Sequence, residues 1–155
     1  MNKKEDINRH ERFVTESLGI KMETKNVIYT THTSIRERCD CITRALSTIL
    51  DIPYNDIFKL QLKLSYEHKL LPDNNLILKE ILNKKNFHNM DIQPFEISVA
   101  EFMCSHKNGE YVIVANGHAT VFINGIWYDN DTVFNMADKF ILSKIKYVFT
   151  NKKSK

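Results

Sequence analysis

No apolar run in this 155-residue chain approaches the roughly 20 residues that a membrane-spanning helix needs, so no membrane partner is expected. The polar opening, Met1-Asn2-Lys3-Lys4-Glu5-Asp6, leads into no secretory core. Three cysteines cannot close into a set of disulfides and suit a reducing compartment, so cytoplasm is the expected location. No arginine cluster or aromatic-interleaved basic stripe accompanies the small formal charge of +3, which argues against nucleic acid as a partner. The chain has no P-loop, dinucleotide glycine fingerprint or His-Glu-x-x-His, and no internal repeat or low-complexity tract.

What is present is an ordinary globular balance. At 155 residues and 43% apolar the chain is long enough for one core and too short for two ordinary domains, and a charged share of 26% argues against global disorder. Residues 1–25 read as an N-terminal helical extension, 26–150 as the domain, and 151–155 as a disordered basic tail. Residues 26–31 are β-prone. The apolar residues Ile42, Leu46, Ile49 and Leu50 fall at i, i+4, i+7 and i+8, one helical stripe from Cys41 to Leu50, with Asp40 as N-cap and Pro53 just beyond the end. Further helices are predicted over 54–68, 76–83, 99–106 and 136–142, the third opened by the capping-box pattern Ser98-Val99-Ala100-Glu101. Residues 91–95 suggest a short edge strand, confined there by Pro94. From residue 111 the period changes to that of strands: 111–115, 118–123, 126–129 and 144–150. Helices followed by an antiparallel sheet make an α+β fold.

Two segments carry the chemistry. In Asp40-Cys41-Ile42-Thr43-Arg44-Ala45-Leu46 a thiol stands at the tip of a helix, where unpaired N–H groups and the macrodipole favour the thiolate. The backbone N–H there can supply half of an oxyanion hole. Asp40 favours the helix but opposes a thiolate, so its side chain must point away. Downstream, Gly117-His118-Ala119-Thr120 leads through the Asn124-Gly125 turn to Tyr128-Asp129. With Asn124 and Gly125 as the loop, Phe122 faces Trp127, Thr120 faces Asp129 and His118 faces Asp131. These six side chains then share one face of the sheet. Either aspartate can orient the imidazole; Asp129 is favoured because it lies within the strand, whereas pairing is expected to end near Asp131.

The pattern Asp-Cys-x-x-Arg-Ala-Leu, followed by a Gly-His-Ala hairpin ending in Tyr-Asp, resembles a group of compact papain-like cysteine peptidase-fold proteins of bacteria and phages. The likeness covers roughly residues 36–150. It implies a papain-like α+β fold, with an N-terminal helical part bearing the nucleophile helix packed on a C-terminal antiparallel sheet. It further implies Cys41 as nucleophile, His118 as general base, Asp129 as orienting carboxylate, a protein or peptide substrate, and no cofactor. The family usually places a Gln several residues before the nucleophile to complete the oxyanion hole. No Gln or Asn lies between Asn26 and Cys41, which leaves Thr31, Ser34, Arg36 and Arg38 as donors, Arg36 being the candidate taken.

Each residue also has a plainer reading. A cysteine on a helix is usually core, a sheet histidine usually a hydrogen-bonding residue, and Arg44 a structural partner of a carboxylate or carbonyl. Cys39-x-Cys41 and Cys104-x-His106 could converge on zinc, but the spacing is not the common one and no metal site is assigned. The alternative to a thiol hydrolase is a catalytically inactive papain-like binding protein, phage-encoded, that grips a host or bacterial protein.

Overall fold

The structure, a computed structural model, describes residues 13–24 and 40–153. The expected strand at 26–31, Arg36 and Cys39 lie outside the described residues. The elements run α1 (Phe13–Ser17), β1 (Lys21–Thr24), α2 (Cys41–Leu50), α3 (Tyr54–His68), α4 (Asn75–Lys84), β2 (His88–Asn89) and α5 (Val99–Ser105). They continue β3 (Glu110–Ala115), β4 (His118–Ile123), β5 (Ile126–Asp129), α6 (Asp131–Phe134), α7 (Ala137–Ile141) and β6 (Ile145–Thr150).

The fold is α+β, with one six-stranded sheet of order β1-β5-β4-β3-β6-β2 among the described residues. Two Asn-Gly turns make its centre. Asn124 and Gly125 both have positive φ, and so do Asn116 and Gly117. That is the backbone of a primed two-residue turn, whose twist matches the strands it joins. The predicted register holds for Phe122↔Trp127 and Ile123↔Ile126. β6 then pairs antiparallel with β3, and the short β2 with β6.

Four expectations need correction. The sheet is mixed rather than antiparallel, because β1 pairs parallel with β5. Residues 21–24 therefore belong to the sheet, and the segment before residue 26 is not helical throughout. Its helix α1 is tied to the body by Asp138, whose carboxylate accepts from the N–H groups of Val14 (2.9 Å) and Thr15 (2.7 Å) and from the Thr15 hydroxyl (2.7 Å). Residues 91–95 form no strand; β2 lies just before them, and Phe95 takes a left-handed φ of 66° after Pro94. The start of the basic tail is also held: Asn151 Nδ2 donates to Glu110 at 2.6 Å and the Lys152 ammonium lies over the Tyr111 ring.

The sheet is packed on both faces. Alternation along β3 and β4 sends Val112, Val114, Ala119 and Val121 to one side, where α2, α3 and α4 supply Leu46, Ile49, Ile57, Leu64, Ile77, Leu78, Ile81 and Leu82. Tyr111, Ile113 and Phe122 go to the other, with Trp127, and meet Phe102, Phe134, Phe140 and Ile141 from α5, α6 and α7. α2 is fixed by its buried stripe, by a left-handed end at Asp51, and by the buried bond from Thr43 to Gln61 of α3 (2.6 Å). Ser98 and Glu101 form the predicted capping box at α5.

Candidate active site

The site lies where β5 runs out. Along an antiparallel strand successive N–H groups point to alternate edges. His118 pairs with Ala115 of β3, so the Ala119 N–H points to the opposite edge. The β4–β5 ladder spans only Val121↔Tyr128 to Ile123↔Ile126, and β5 ends at Asp129. The start of α2 fills the opening and sets Cys41 beside the Ala119 N–H and the His118 ring, both of which favour its thiolate. Cys41 occupies the first helical position and is partly exposed. Its N–H has no acceptor within the helix.

His118 stands between the thiol and a carboxylate. Its Nε2 lies 2.7 Å from Asp129 Oδ2, which leaves Nδ1 for Cys41. Asp129 is buried and surrounded by donors. Oδ2 also accepts from the Thr120 hydroxyl (2.5 Å), and Oδ1 accepts from the Asn130 N–H (2.8 Å) and from Arg44 Nη1 (3.1 Å). Behind Thr120, the indole N–H of Trp127 donates to its hydroxyl oxygen at 2.7 Å. Phe140 meets the imidazole ring edge-to-face, centroids 5.4 Å apart.

These contacts set the protonation states. Burial alone would raise the Cys41 thiol, but the His118 hydrogen bond, the Ala119 N–H and the charges of His118 and Arg44 together bring it below its ordinary value of 9.0. Burial would lower His118; the Asp129 and Cys41 hydrogen bonds and their charges instead raise it to about 9. Burial would raise Asp129, yet its bonds to His118, Thr120 and the Asn130 N–H hold it below the usual carboxylate range. The raised imidazole and the lowered thiol both favour the ion pair, a thiolate beside an imidazolium, over the neutral pair. That pair can attack an electrophilic carbon and return a proton to a leaving group.

Of the residues predicted from sequence, Cys41, His118 and Asp129 come together. Asp131 opens α6 beyond the end of β5, so it has no place opposite His118 in the ladder. Asp40 precedes the helix but makes no side-chain cap there. Among the described residues no group of three or more His, Cys, Asp or Glu could hold a metal ion, and His106 instead stacks on Phe102 at 4.0 Å. Arg44, Thr120, Trp127 and the Ala119 N–H were not singled out as site groups. Arg44 stands three positions after Cys41, on the same helix face, and strand parity already puts Thr120 and Trp127 beside His118 and Asp129. An open cleft of about 760 Å³ lies over the pair, bordered by Gly117, Asp73, Asn75, Asn130 and Lys146 among others. No family model, curated protein or solved structure matches the chain.

Proposed function

We propose that this protein is a papain-like thiol hydrolase that cleaves a peptide or isopeptide-like amide. The observation that carries the reading is the relay Cys41–His118–Asp129, with the sulfur at the tip of α2 and the ring held from behind by a buried carboxylate. The chain order Cys, His, Asp and the nucleophile helix laid against a sheet suit a papain-like arrangement. The Cys41 thiolate adds to the amide carbonyl, and the Cys41 N–H at the helix start is placed to bond the resulting oxyanion. His118 passes its proton to the amine nitrogen as the C–N bond breaks, leaving a thioester on Cys41. Water then gives a proton to His118 and its oxygen to the acyl carbon; the C–S bond breaks and the acid departs. Asp129 keeps the imidazole in the tautomer that presents Nδ1 to the thiol.

The test is alkylation by iodoacetamide followed by peptide mass mapping across pH. Cys41 should react much faster than Cys39 and Cys104 at neutral pH, with a profile that extends well below the ordinary thiol range. Equal rates for all three would remove the activated thiol and the hydrolase with it.

A further inference from the structure

A carboxylate just before a helix ordinarily accepts the unpaired N–H groups of the first turn. Asp40 does not. Its Oδ1 accepts from Arg44 Nε at 2.9 Å and its Oδ2 from the Tyr54 hydroxyl at 3.1 Å. The same guanidinium reaches across to β5 with Nη1, 3.1 Å from Asp129 Oδ1. Arg44 thus joins the carboxylate next to the nucleophile to the carboxylate behind the base, with its own side chain only 15% exposed.

We propose that Arg44 is a positioning residue, a clamp that draws Asp40 away from the Cys41 thiol and the open helix tip while fixing Asp129 with Oδ2 toward His118. The inference rests on the hydrolase reading through the Cys41–His118 pair. Two carboxylates on separate elements need a planar cation with several donors in fixed directions, which arginine has and lysine lacks. A buried ion pair contributes little net stability, because desolvation offsets its attraction, so orientation is the better account of its presence. Without Arg44, the Asp40 carboxylate, still held by Tyr54 at Oδ2, would be able to swing Oδ1 toward the N–H groups of the first turn. There its charge would oppose the thiolate and its oxygens would occupy the donors an oxyanion needs. Among the described residues the groups facing Cys41 are Asp40 and Arg44 from its own end of α2, His118 from β4 and, behind it, Asp129 from β5. Asp73 before α4 and Lys146 of β6 border the same cleft.

The experiment is the pH profile of iodoacetamide alkylation at Cys41, which needs no substrate. Arg44→Met should move its lower limb up by about one pH unit, roughly a tenfold slower reaction below the limb. Arg44→Met combined with Asp40→Ala should recover most of that shift, which a merely structural arginine would not allow. Arg44→Lys should fall between wild type and Arg44→Met, and it carries the test if Arg44→Met does not fold. An Arg44→Met or Arg44→Lys profile that superimposes on wild type overturns the clamp, as does a shift that Asp40→Ala leaves untouched. A wild-type Cys41 no more reactive than Cys104 overturns the hydrolase reading and this one together; a reactive Cys41 indifferent to Arg44 overturns only this one.

Discussion

The two faces of the sheet are built from different materials. The side covered by α2, α3 and α4 is mainly aliphatic, with Leu46, Ile57, Ile77, Leu78 and Leu82 against Val112, Val114 and Val121, and Phe87 and Phe149 as its buried rings. The side covered by α5, α6 and α7 is richer in aromatic rings: Trp127 stacks with Phe140, and Tyr111 stands edge-on to Phe102. The aliphatic layer holds α2 mainly by shape, with the buried Thr43–Gln61 hydrogen bond between helices, away from the imidazole. The aromatic layer brings a polar handle with its bulk, since a buried indole N–H must find an acceptor. Trp127 finds Thr120, Thr120 meets Asp129, and Asp129 meets His118. One face sets where the thiol is; the other sets how the imidazole is held.

That division can be broken from either side. The largest effect is expected from His118→Ala, which should slow Cys41 alkylation near neutral pH by about 10²-fold or more, the scale of lost general-base assistance. The variant should still fold, because Asp129 keeps Arg44, Thr120 and the Asn130 N–H. Leu46→Ala, at a fully buried position of α2, should cost about 2–5 kcal/mol in denaturant unfolding. Under native conditions its alkylation limb should stay at the wild-type pH; a displaced limb would show that the aliphatic face also tunes the thiol. Trp127→Phe should also destabilise, by about 1–3 kcal/mol for a lost buried donor, but should in addition shift the limb, through Thr120 and Asp129.

The smallest expected effect is a slope in stability with pH. A raised histidine binds more protons in the folded state than in the unfolded one, so its contribution is complete below 6.5 and is lost as pH rises through about 9. The lowered thiol has the opposite sign, contributing above 9.0 and losing that contribution as pH falls through its folded value. The two partly cancel in wild type. Cys41→Ser removes the thiol's share, so its melting temperature should decline as pH rises from 6.5, whereas wild type stays flatter. Parallel curves for the two proteins would refute the coupled pair.

Much of the fold was legible from short-range chemistry. Asn124-Gly125 fixed a hairpin and its register, because both residues tolerate positive φ and strand parity does the rest. The Ser98–Glu101 box opened α5 as expected. Asn116-Gly117 carries the same signal and turns β3 into β4 in the same way. The rest depended on distant partners. The parallel pairing of β1 with β5 joins residues about a hundred positions apart, and no local pattern records that choice. The anchoring of α1 by Asp138 is equally remote.

The site divides along the same line. Sequence alone placed Cys41 at a helix tip and put His118 and Asp129 on one strand face, since each depends on residues within a few positions or across one tight turn. Only the tertiary structure could bring α2 to the gap beyond β5, give the thiol the Ala119 N–H, and turn Asp40 from a cap into a partner of Arg44. Those outcomes depend on which donors and acceptors meet when separate elements pack, and a buried polar group takes the partner that packing brings to it rather than the one its neighbours in sequence suggest.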